Sequence, residues 1–78
     1  MRKEELRIEA KSGHTWQHLR TVTEPEEIFR SLAHDLTAKH LHHAPYVRRI
    51  CDKCNYDGTR TITVYYSDDV RRVFIVND

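Results

Sequence analysis

Only one segment of this chain carries a helical period, and segments with a strand period flank it on both sides. In residues 24–40, Ile28, Phe29, Leu32, Ala33 and Leu36 fall on one stripe at the three-and-four spacing of an amphipathic helix. Thr23-Glu24-Pro25-Glu26 just before it reads as a capping box, with the Thr23 hydroxyl and the Glu26 side chain satisfying each other's backbone amides. Glu26–Arg30 and Asp35–Lys39 are expected as surface pairs four residues apart, and Pro45 ends the helical stretch. The spacing predicts a helix from about Glu24 to about His40.

Before the helix, Leu6, Ile8 and Ala10 alternate with Glu5, Arg7 and Glu9 up to Ser12-Gly13, the pattern of a half-buried strand. Residues 15–22 are rich in strand formers and are expected to be a second strand. The last third predicts a three-stranded meander. Its first turn, Asn55-Tyr56-Asp57-Gly58, suits a type I turn closed by a glycine bulge, which sets Ile50 opposite Val64. Its second turn, Ser67-Asp68-Asp69-Val70, is read as tight, pairing Ser67 with Val70, Val64 with Val73 and Ile62 with Ile75. Together these registers put Ile50, Ile62, Val64, Val73 and Ile75 against the helix stripe. The expected fold is α+β: a single helix on one face of an antiparallel sheet, in the order ββαβββ.

At 78 residues, the chain is expected to be a single small globular domain spanning 1–78. A core this small often gains stability from a second copy, so a homodimer is expected. The formal charge of +1 does not favour nucleic acid as the main partner. No apolar run reaches the roughly 20 residues needed to cross a bilayer, and the charged start does not resemble a secretion signal. Cytoplasm is the expected compartment.

Cys51-Asp52-Lys53-Cys54 is the most obvious chemical signal. With His40 and His43 upstream, the pair offers four ligands of the kind zinc prefers. The hairpin expected at Asn55–Gly58 weighs against that site, because it leaves both cysteines in one strand, an odd number of positions apart and on opposite faces. The motif also lacks the helix N-terminus that lowers a redox cysteine's pKa. His34, His40, His42 and His43 crowd the helix end, where imidazolium suits the negative terminus. No metal or cofactor is therefore expected. Nor is catalysis: there is no glycine-rich phosphate loop, nucleophile elbow or carboxylate pair at working distance.

The expected registers leave Val47, Arg49, Thr61, Thr63, Tyr65, Arg72, Phe74 and Val76 on the sheet face away from the helix. A solvated face should be mostly polar, whereas aromatic and arginine side chains among valines are typical of interface cores. Val47, Arg49, Tyr65, Arg72, Phe74 and Val76 are accordingly the expected partner-binding residues of a non-enzymatic regulatory module working by protein–protein contact. The alternative is single-strand nucleic-acid binding, with bases stacked on Tyr65 and Phe74 and with Arg49 and Arg72 on phosphates. A zinc-stabilised module ranks third. A different outcome for this face is burial, if the N-terminal strands fold back and cover it with Trp16 and Leu19.

Overall fold

The computed structural model describes residues 4–40 and 42–77. The elements are β1 (Glu5–Ser12), β2 (Thr15–Val22), α1 (Pro25–Ala38), β3 (Val47–Cys54), β4 (Thr59–Tyr66) and β5 (Val70–Asn77). All five strands form one antiparallel sheet in the order β2-β1-β5-β4-β3, and α1 packs on one face of it, called the inner face below. This is the expected ββαβββ arrangement. The N-terminal strands extend the sheet and do not form a second layer, so among the described residues no element lies over the outer face.

Each hairpin follows from its turn chemistry. Gly13 (φ 64) opens the two-residue turn between Ser12 and its partner Thr15, a position that requires a positive φ. At the β3–β4 turn, Gly58 (φ 84) closes a three-residue loop, with the Asn55 amide donating to the Thr59 carbonyl at 2.9 Å. Asp57 Oδ1 accepts from the Thr59 amide at 3.0 Å and from its hydroxyl at 2.5 Å, which fixes the loop. Ile50 faces Val64, as expected.

The β4–β5 turn differs from its expectation. It repeats the three-residue loop of the preceding hairpin, with Asp69 (φ 62) in the left-handed position that Gly58 takes there. Aspartate tolerates that region better than most residues, and so it stands in for glycine. One extra loop residue shifts the register by one: Ile62 pairs with Phe74 and Val64 with Arg72. A one-residue slip turns every side chain of the strand to the other face. Arg72, Phe74 and Val76 therefore point inward, beneath the helix, while Val73 and Ile75 point outward.

The inner face is built in rows. Ile62, Phe74, Leu6 and Val22 stand side by side across β4, β5, β1 and β2, and Ile50, Val64, Arg72 and Ile8 form the adjacent row. Ile28 from α1 completes a core with Leu6, Val22, Ile62, Val64, Tyr66, Phe74 and Val76, and Leu32, Val47 and Ile50 pack on its edge. Full burial of a side chain of this size contributes about 1.5–3 kcal/mol.

The helix begins one residue later than the capping box implied. Glu24 is the N-cap without a side-chain cap bond, and Pro25 opens the first turn, where its missing amide costs nothing. Glu26 and Glu27 sit in the acidic-preferring first turn, and Glu27 pairs with Arg20 of β2 at 2.8 Å. The helix is also rotated from the expected stripe. Ile28, Asp35 and Ala38 are buried, whereas Phe29 and Leu36 are 47% and 40% exposed. Asp35 sets this rotation. It is fully buried rather than paired on the surface with Lys39, and its Oδ1 accepts from the Tyr66 hydroxyl and from Arg72 Nη1, the latter at 2.8 Å. Burial, and then the adjacent Asp35 carboxylate, hold the Tyr66 hydroxyl well above its ordinary pKa of 10.0.

Candidate functional site

The uncovered outer face collects a connected set of aromatic and arginine side chains near the β4–β5 turn. Across the strands, Arg49, Tyr65, Arg71, Glu9 and His18 stand opposite one another in one row. The tip of the β1–β2 hairpin adds Trp16, whose ring meets Tyr65 edge-on at a centroid distance of 5.9 Å. The Arg49 guanidinium lies 4.4 Å from the Tyr65 ring centroid, and that of Arg71 lies 4.3 Å from the Trp16 centroid. Arg71 Nε also donates to Glu9 Oε1 at 2.6 Å. Each ring thus carries a guanidinium, an arrangement that contributes about 0.5–1 kcal/mol per pair at exposed sites. The next row away from the turn holds Thr63, Val73 and Arg7. Val73 is only 6% exposed, although no secondary-structure element covers it, because its long neighbours lie around it.

Close to this ladder, Lys11, Arg48, Arg49, Trp16, Tyr65 and Asp69 line an open cavity of about 420 Å³. A β-bulge between Val47 and Arg49 builds one wall, since the extra residue in β3 lets Arg48 and Arg49 both contribute to the cavity. Bulges characteristically re-aim side chains in this way. The Lys11 amide donates to the Asp69 carbonyl at 2.8 Å, tying the hairpin tip to the turn and holding the cavity's two sides together.

The six residues expected to share one binding face divide between two faces. Arg49 and Tyr65 lie on the outer face. Phe74 and Val76 are core, at 0% and 6% exposure, and Val47 packs against the core edge. Arg72 pairs with buried Asp35 on the inner side. The correction has two causes: the register set by Asp69 turns Arg72, Phe74 and Val76 inward, and the bulge between Val47 and Arg49 turns Val47 inward. Sequence reasoning missed Arg71, Lys11 and the bulged Arg48 as members of the outer site. Arg71 lay within its reach, since β5 read with the same loop as the preceding hairpin puts Arg71 opposite Tyr65. The alternative second layer carrying Trp16 and Leu19 does not form: Trp16 reaches Tyr65 from within the same sheet, and Leu19 is 58% exposed at the irregularity in β2.

Cys51 and Cys54 both lie exposed on β3, opposite Thr63 and Arg60 respectively, and so on opposite faces of the sheet. Three residues of extended strand separate their Cα atoms by roughly 10 Å, too far to grip one ion together. His40 is exposed beyond the helix end and lines a second cavity with Leu36, Val47 and Ile50, while His43 is exposed in the connection to β3. No family model, curated protein or solved structure matches this chain, so its chemistry is read from the geometry alone.

Proposed function

We propose that this chain is a small non-enzymatic binding module acting in the cytoplasm through protein–protein contact, with the outer sheet face as its contact surface. The observation that carries the reading is the Arg49–Tyr65–Trp16–Arg71 ladder on a face that no element covers. Tryptophan, tyrosine and arginine are the residues on which binding energy concentrates at protein interfaces, and here their ring–guanidinium contacts hold them in position before a partner arrives. Ile75, half-buried and two rows from the ladder on the same face, supplies apolar area to the patch.

The ladder also favours a protein partner over single-stranded nucleic acid. A base would have to displace Arg49 or Arg71 to stack on the rings, and a phosphate backbone crossing the sheet would meet Glu5 and Glu9. The small core still makes a second copy of the chain a reasonable partner. Against it, Arg7, Lys11, Arg49, Lys53 and Arg71 outnumber Glu5 and Glu9 on this face, so two copies laid face to face would oppose like charges. A partner of opposite charge fits the surface better. Among the described residues no helix is long and apolar enough to cross a membrane, which is compatible with a partner met away from the bilayer.

The test is the native mass of the complex isolated from the source cell. Tyr65→Glu puts a charge into the centre of the patch and leaves the inner core untouched. It should reduce the complex to the single chain without lowering the thermal midpoint appreciably. A Tyr65→Glu protein that retains the parent's complex would remove the outer face from consideration.

A further inference from the structure

We infer that the cavity beside the ladder is a carboxylate-binding pocket and that it receives an acidic segment of the partner protein. This rests on the outer face being the contact surface, and it adds the chemistry of what that surface recognises.

The first support is charge pairing. Arg20, Arg60, Arg71 and Arg72 each have a carboxylate partner within the chain: Glu27, Asp52, Glu9 and Asp35. Lys11, Arg48 and Arg49 form no ion pair with any described residue, yet all three line the same cavity. In a chain of formal charge +1, a cluster of uncompensated cations is a local feature rather than an overall excess. Asp69 shares the lining without pairing with any of them.

Geometry supplies the second support. Arg49 lies over the Tyr65 ring, which positions the guanidinium and leaves its N–H edge available to an incoming oxygen pair. The bulge brings Arg48 alongside, so both arginines and Lys11 line one cavity. A volume of about 420 Å³ admits a side-chain carboxylate with its neighbours but is a local depression, not a track across the sheet. An extended polyphosphate needs such a track and free ring faces. A carboxylate needs neither.

Trp16 is the chain's one tryptophan and lines the pocket, so its emission reports occupancy directly. Titrating a short oligoglutamate peptide into the full chain should produce a saturable change in Trp16 emission, weakening steeply as salt is raised. An oligolysine peptide should produce none, and oligothymidylate should bind more weakly than oligoglutamate. The Arg48→Ala, Arg49→Ala double variant should bind oligoglutamate about tenfold more weakly, the loss of two solvent-exposed charge pairs. Arg48→Glu alone, which leaves the Arg49–Tyr65 stack in place, should abolish the response. No Trp16 response to oligoglutamate, or an undiminished response in both variants, overturns the assignment, and tighter binding of oligothymidylate replaces it with a phosphate site. If oligoglutamate fails while Tyr65→Glu still dissociates the native complex, the ligand class falls and the contact surface stands.

Discussion

Replacing Asp35 with alanine is expected to cost about 3 kcal/mol, the lower end of the range for breaking a buried ion pair, because Arg72 keeps partial access to water. Asp35 is fully buried, and its Oδ1 gathers the Tyr66 hydroxyl, Arg72 and, at 3.2 Å, His34 Nδ1. Removing the carboxylate strands the Tyr66 hydroxyl without its acceptor and leaves Arg72 facing the helix unpaired. In a domain whose total stability lies in the usual range of about 5–15 kcal/mol, that loss is a large fraction. Urea denaturation reads it directly, and a cost below about 1 kcal/mol would mean that the pair is not what anchors the helix. Changing Asp35 to Leu together with Arg72 to Met should recover most of the loss, since apolar replacement of both partners avoids the stranded charge. The same site sets a pH dependence. The Tyr66 hydroxyl ionises later in the folded chain than its ordinary 10.0, so its contribution is fully present below that pH and is lost as pH rises beyond it. Tyr66→Phe should flatten that alkaline decline.

The second large effect is at Phe74. Its side chain is fully buried between Ile62 and Leu6 under α1, and Phe74→Ala should cost about 3–5 kcal/mol. Phe74→Glu should unfold the chain outright, because it puts a carboxylate into a fully buried position beside the Arg72–Asp35 pair. Folded, helical Phe74→Glu protein would show that β5 takes the other register and that Phe74 belongs to the outer face.

Much of this architecture was legible in the sequence because local signals agreed with the final packing. The helical stripe, the Ser12-Gly13 break and the Asn55–Gly58 loop each specify their element with little help from the rest of the chain. The reading failed where a residue did a job usually given to another. Asp69 adopts the conformation expected of glycine, and that one substitution of roles moved Arg72, Phe74 and Val76 to the inner face. Asp35 looks like a surface helix residue at i,i+4 from Lys39, but Arg72 and Tyr66 meet it inside. Its burial rotates Phe29 and Leu36 into water, against the apolar periodicity. The Asp35 error comes from long-range partners, which a local pattern does not register, and the Asp69 error from a turn residue taking an unexpected conformation. The outer site was legible in part: Tyr65 and Arg49 were identified on the correct face, Arg71 follows once the β4–β5 loop is read with three residues, and the bulged Arg48 joins them through an irregularity that the alternation of β3 does not mark.

The most direct test of the outer face as the contact surface is site-specific photo-cross-linking in the source cell. A photoreactive phenylalanine analogue would be placed at Tyr65 in one strain and at Phe29, on the exposed helix stripe, in another. The expected result is one discrete adduct from position 65 and none from position 29, with the adduct lost when Arg48 and Arg49 are also changed to alanine. An adduct from position 29 alone would contradict the assignment and move the contact surface to the helix side of the sheet.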